Sequence, residues 1–222
     1  MDPFEDSAGV KTAVITGAHP FDVPAFHAMF RSLAGVDCYP QDLADFVADA
    51  GRVRDRYDVL LFYNFHQQTP GEAGDPLDVR TCESLERLGQ TAQGIFVLHH
   101  AILAYPNWPF WADLVGIPDR RFTYDDGQDL HIEIAPQEHV ITRGLSAWTM
   151  TDEVYSMNNP GAGSETLLTT NHEKSMTSVA WARQFRQARV FCLQSGHDGE
   201  AFGNPNFRTV MERGIQWLAG VV

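Results

Sequence analysis

Positive charge is scarce in this chain: 16 lysines and arginines stand against 29 aspartates and glutamates, for a net charge of −13. A surface that grips nucleic acid needs Lys and Arg clustered against the phosphates, and no such cluster occurs, so no nucleic-acid partner is expected. Cysteine is nearly as rare. Cys38, Cys82 and Cys192 are scattered without metal-ligand spacing, and an odd number argues against a disulfide framework. No uninterrupted apolar run approaches the roughly 20 residues of a membrane span. The first residues, Met1 to Gly9, are acidic and polar rather than basic and then apolar, so no membrane partner and a cytoplasmic location are expected.

What is present is an ordinary globular composition, 222 residues with 44% hydrophobic and 20% charged, enough for one substantial core. A short N-terminal tail over 1–10 and a single domain over 11–222 are expected. Lys11–Gly17, Val36–Tyr39, Tyr57–Tyr63 and Gly94–His99 read as buried strands, and Pro24–Leu33 and Pro76–Leu88 as the helices between them. Such alternation predicts an α/β fold: a parallel sheet with helices on both faces. After Trp111 the pattern breaks into shorter extended pieces, near Arg121–Tyr124, Asp129–Ile134 and Trp148–Tyr155, read as an inserted antiparallel section roofing the sheet. Strands return at Leu167–Thr170, Val179–Trp181 and Arg189–Leu193, and Asn206–Leu218 closes the chain as a helix. The apolar positions of that helix, Phe207 to Trp217, fit either the core or the face of a homo-oligomer.

Chemistry-bearing residues recur where strands end. The run Gly94–Leu98 stops in His99-His100, and other predicted ends carry His19, Asp152-Glu153 with Tyr155, His172, and Gly196-His197-Asp198. In an open α/β sheet the carboxyl ends of the strands border the ligand crevice. Adjacent strand residues point to opposite faces, so only a turn lets His99 and His100 serve one pocket. Each histidine alone fits a loop hydrogen bond equally well, and the acidic pair fits an exposed surface; the repetition is what points to a site for a small-molecule substrate. His100 and His197 are candidates for an acid–base pair, Glu153 for a base or orienting group, and His19 for an electrophilic donor. His99, Asp152, Tyr155 and His172 are candidate substrate-binding residues. So is Trp108, as part of a stacking wall with Tyr105 and Trp111, although aromatics beside prolines also pack without a ligand. Neutral imidazoles with a carboxylate also suit a divalent transition metal such as zinc, with ligands converging from separate strand ends.

Several segments taken together resemble the ThuA-like proteins of trehalose utilisation: Gly17-Ala18-His19-Pro20-Phe21-Asp22, Leu98-His99-His100-Ala101-Ile102 with Tyr105-Pro106 and Trp108-Pro109, Asp152-Glu153-Val154-Tyr155, and Gly196-His197-Asp198 with Asn204-Pro205. The resemblance runs in order from about Lys11 to Gly220. It implies the flavodoxin-like fold of class I glutamine amidotransferases, whose nucleophile is a cysteine at a sharp strand-to-helix turn. This chain has His99-His100-Ala101 there, and without a thiolate the thioester route from glutamine is closed. His197 falls where that fold keeps its catalytic histidine. The resemblance therefore implies an enzyme of carbohydrate catabolism, an isomerase, lyase or hydrolase of a sugar, glycoside or keto-sugar derivative, working by general acid–base or metal-assisted chemistry. The alternatives are a non-catalytic binding or regulatory module, and an enzyme of another small oxygenated catabolite.

Overall fold

The apolar runs form the middle of one mixed sheet in the computed structural model, which describes residues 8–48 and 53–222. Five strands are parallel: β1 (Val10–Gly17), β2 (Val36–Asp42), β3 (Val59–Asn64), β4 (Gly94–Leu98) and β9 (Ala188–Leu193), in the order β2-β1-β3-β4-β9. This is the flavodoxin-like order, and both faces are covered as a parallel sheet requires. Of the expected tail, residues 1–7 lie outside the described residues, and β1 already begins at Val10.

Alternation along β3 divides the core. Leu61 and Tyr63 face one layer with Phe96 and Phe191, while Leu60 and Phe62 face the other with Ile95 and Val97. The first layer is closed by α1 (Val23–Ser32) through Phe26 and Phe30, and by α6 (Pro205–Ala219) through Phe207, Val210 and Ile215. The second is closed by α2 (Leu43–Ala48), α3 (Pro76–Glu86) and α4 (Pro109–Val115) through Phe46, Leu85 and Trp111. Each such buried side chain contributes roughly 1.5–3 kcal/mol. The longer helices start on explicit signals: Asp22, Asp75 and Asn204 cap the first amides of α1, α3 and α6, and a proline follows in each first turn. The buried face of α6 lies in the core of its own chain.

The antiparallel section expected after Trp111 is present, and it is joined to the edge of the sheet. β8 (Ser178–Phe185) pairs with β9, β7 (Ser164–Thr169) with β8, β5 (Thr123–Ile134) with β7, and β6 (Trp148–Ser156) with β5, so they continue the sheet edge. The two pieces expected at Arg121–Tyr124 and Asp129–Ile134 are one strand with a bulge between Asp125 and Gln128. Only Glu133 and Ile134 of β5 pair with β7, which leaves the rest of the β5–β6 ribbon to bend back toward the carboxyl ends of β4 and β9. Short helices α2, α4 and α5 (Gly199–Gly203) were not anticipated. The strand expected to include His99 ends at Leu98, and His99–Leu103 is a 3-10 turn.

Candidate functional site

That turn resolves the problem of the two adjacent histidines. His99 takes a left-handed backbone, φ +52°, a conformation uncommon outside glycine, and the chain reverses so that both rings reach one side. Along β6, alternation sends Glu153 and Tyr155 one way and Asp152 the other. At the end of β9, Gly196 (φ +123°) makes the bend that presents His197. After β1, His19 follows Gly17 and Ala18, both at positive φ. The result is a hollow of 380 Å³ whose wall includes His19, His100, Glu153, Tyr155 and His197. Phe65, Leu103, Phe122, Tyr124 and Asp126 complete its lining.

At the base of the hollow His99 is fully buried. Its Nδ1–H donates to the Gln194 carbonyl at 2.6 Å, so Nε2 is the nitrogen turned toward the other polar groups. Nε2 lies 2.8 Å from the Tyr155 hydroxyl, 3.2 Å from His197 Nδ1 and 3.3 Å from Glu153 Oε1. His197 Nδ1 is 3.6 Å from the same carboxylate oxygen. Burial opposes ionisation of Glu153, but the contact with His99, the charges of His99 and His197 and the Tyr155 hydroxyl outweigh it and hold the carboxyl below its usual range. Burial keeps the Tyr155 phenol protonated, its pKa raised further by Glu153.

His100 and His19 differ from this group. The His100 Nε2–H donates to the Tyr63 carbonyl at 3.0 Å, and burial, with the neighbouring His99 and His19 rings, pulls its pKa down to about 2. It is a neutral ring whose Nδ1 is buried without a partner. His19 stacks on it at 4.2 Å, and burial lowers its pKa too. Asp152 is turned inward: its Oδ2 accepts from the Gly196 amide at 2.7 Å and its Oδ1 from the His197 and Glu153 amides at 3.0 and 2.9 Å. Burial raises its pKa, while the three amide donors are aimed at the charged form.

Of the expected site residues, His99 and Asp152 are not part of the lining, and Trp108 and His172 lie away from the hollow. Trp108 stacks on Phe110 at 4.7 Å and borders a separate recess with Asp113 and Arg183, because Pro109 starts α4 and carries the aromatic run into the helical layer. His172 sits in the turn after β7, where its Nδ1 accepts the Lys174 amide at 3.3 Å. Asp198, considered as a partner for the His197 ring, caps α5 instead, accepting from the amides of Glu200 and Ala201. Phe65, Leu103, Phe122, Tyr124 and Asp126 were not among the expected site residues. Phe65 follows the end of β3 in Asn64-Phe65-His66, the same strand-end signal that marked His99.

No cysteine lines the hollow, and burial raises the thiols of Cys38, to about 12, and of Cys192. The ThuA family, described as trehalose utilisation, matches residues 22–218. The chain belongs to the ThuA family. Among solved structures, a ThuA-like protein from Parabacteroides merdae superposes with a TM-score of 0.73 at 19% identity, covering 95% of this chain and 90% of that one. A cytoplasmic protein from Salmonella typhimurium gives 0.66 at 12% identity over 93% and 99% of the two chains. A glutamine amidotransferase from Thermotoga maritima gives 0.54 at 9% identity over 94% and 98%. These likenesses establish the class I amidotransferase-like fold of this ThuA protein. No curated protein matches it in sequence, and among the described residues no helix is long and apolar enough to cross a membrane.

Proposed function

We propose that this ThuA protein is a cytoplasmic enzyme acting on a sugar, glycoside or keto-sugar derivative by proton transfer, as an isomerase, lyase or hydrolase. One observation carries the reading: an ionised carboxylate, two imidazoles and a phenol meet within hydrogen-bonding reach at the base of a hollow large enough for a small molecule. A ketone acidifies the adjacent C–H bond, so Glu153 acts as the base and the partly exposed His197 as the proton donor. His99, anchored on the Gln194 carbonyl, orients both and relays a proton with Tyr155. The neutral rings of His19 and His100 form a polar wall. Family membership supports the sugar class, and the absence of a thiol at the hollow argues against amidotransferase chemistry.

A metal-assisted version is favoured by the spacing of three ligand atoms. His99 Nε2, Glu153 Oε1 and His197 Nδ1 form a triangle with sides of 3.2, 3.3 and 3.6 Å. Ligands about 2.0–2.1 Å from a tetrahedral zinc stand roughly 3.3 Å apart. The hydrogen bond from His99 Nδ1 to a carbonyl is the support that metal-bound imidazoles usually have. In that version the three residues hold the ion, which would polarise a substrate oxygen.

Product formation from a panel of keto-sugars, measured beside calorimetric binding, tests the proposal. Turnover that vanishes in Glu153→Gln while binding remains supports it. Saturable binding with no product makes the protein a binding module. Elemental analysis of chelator-free protein separates the two versions: stoichiometric metal lost in His99→Ala supports the ion, and metal-free active protein rejects it.

A further inference from the structure

Arg120 is buried, with 4% of its surface exposed. Its Nη2 donates to the Tyr105 carbonyl at 2.6 Å, but Nε and Nη1 are buried with no hydrogen-bond partner. No carboxylate pairs with it among the described residues. The obvious candidate, neighbouring Asp119, is taken: Arg121 grips it through Nε at 3.0 Å and Nη2 at 2.5 Å. Burial lowers the Arg120 pKa to about 10, which leaves it charged at neutral pH. An uncompensated guanidinium in the interior is costly, and it stands out in a chain with a net charge of −13.

The position of this charge gives it a use. Arg120 borders a recess of 510 Å³ with Pro106, Asn107 and Phe122. Phe122 also lines the histidine hollow, where its ring meets Tyr155 edge-on at 5.7 Å. Phe122 is thus a wall shared by the recess that Arg120 borders and the hollow that holds the proposed proton-transfer groups. Both free nitrogens are buried, so an anion reaches them when a wall side chain turns aside; in that wall Pro106, Asn107, Pro118 and Arg121 are exposed, and Asp119 and Phe122 half-buried.

Resting on the proposed function, we infer that the substrate carries a carboxylate, held by Arg120 in this recess while its remaining carbons occupy the histidine hollow. The substrate class is then a sugar acid or keto-acid sugar rather than a neutral sugar. A single guanidinium beside the Asp119 carboxylate suits a monoanion and disfavours a dianionic phosphate.

Binding of gluconate, glucuronate, glucose and inorganic phosphate is measured by calorimetry and thermal shift on the wild-type protein, Arg120→Gln and Arg120→Lys. The sugar carboxylates are expected to bind the wild type roughly tenfold to hundredfold more tightly than glucose, as a charged hydrogen bond implies. Arg120→Gln loses that preference with its glucose affinity unchanged, and Arg120→Lys retains part of it. The ligand-free melting temperature of Arg120→Gln is not lowered, since an unpaired buried charge is removed. Equal binding of acid and neutral sugar by the wild type, tighter binding of phosphate than of the acids, or a preference that survives in Arg120→Gln overturns the inference. Failure of the enzyme reading looks different: the acid preference persists in binding while no compound is turned over.

Discussion

Asp152 Oδ1 accepts the His197 backbone amide at 3.0 Å, so a buried carboxylate on one strand sets the aim of an imidazole at the end of another. The same carboxylate holds the amides of Gly196 and of Glu153. One acidic side chain therefore fixes the relative placement of the two groups assigned to proton transfer. Its role is to position them, since both oxygens are occupied by backbone donors.

Replacing Asp152 by Asn tests this arrangement. An amide offers one oxygen and turns an NH2 toward a backbone N–H, leaving a buried donor facing a donor. A loss of about 2–3 kcal/mol is expected in chemical denaturation, together with a fall in turnover greater than the change in binding. Stability equal to wild type would show that the three amides do not depend on this charge.

The parallel half of the fold was legible because strands buried on both faces are written as unbroken apolar runs, as in Val59-Leu60-Leu61-Phe62-Tyr63. The β5–β6 ribbon was harder. Polar Asp125, Asp126 and Gln128 interrupt β5 at its bulge, and a strand that is largely exposed has little hydrophobic pattern to show. Helix α2 has only six residues, fewer than two turns of periodicity. At the site, strand ends marked His19, His99, His100 and His197 because each follows an apolar run. His172 met the same local rule but sits in the turn after β7, and Trp108, expected in an aromatic stacking wall, is carried off by the helix that the following proline starts. Arg120 carried no signal, since Pro118-Asp119-Arg120-Arg121 reads as an exposed loop.

Glu153→Gln and His197→Ala distinguish groups that act in the transition state from groups that only bind. Loss of a general base or acid costs about 10²–10⁴ in rate. The expectation is a drop of that size in kcat with KM changed little, against the small kinetic effect of His172→Ala, which lies outside the hollow. Steady-state kinetics on a turned-over keto-sugar decides this; comparable losses from His172→Ala would remove the assignment.

The neutral His100 ring makes stability depend on pH. Its folded pKa is about 2 against an ordinary 6.5, so below pH 6.5 the unfolded chain binds a proton that the folded chain does not. Stability is complete above 6.5 and falls as the pH drops, with a slope of up to about 1.4 kcal/mol per pH unit. His19 acts in the same direction, and Glu153, whose folded pKa is also depressed, adds to the loss only below its ordinary 4.5. In His100→Gln the amide can still donate to the Tyr63 carbonyl but does not titrate. Denaturation curves from pH 7.5 to 5 should show a shallower decline for this variant, and an identical slope would refute the buried neutral ring.

Gly94 links the closing helix to the strand that leads into His99. A Cβ built there would stand 2.6 Å from Leu218 Cβ and 2.8 Å from the Leu218 carbonyl oxygen, closer than packed atoms tolerate, and the second contact is backbone that cannot rotate away. Helix α6 must therefore lift from β4 in Gly94→Ala, loosening Ile215 and Leu218 against the sheet. Overpacking of this kind costs about 1–3 kcal/mol. Since Gly94 begins β4 and His99 follows its last residue, the disturbance sits at the far end of the strand from the hollow. The variant should lose stability in thermal melts while keeping its affinity for ligand below the melting transition. A variant as stable as wild type would mean that α6 does not pack this closely on β4, and the loss of binding before unfolding would mean that the strand transmits strain to His99.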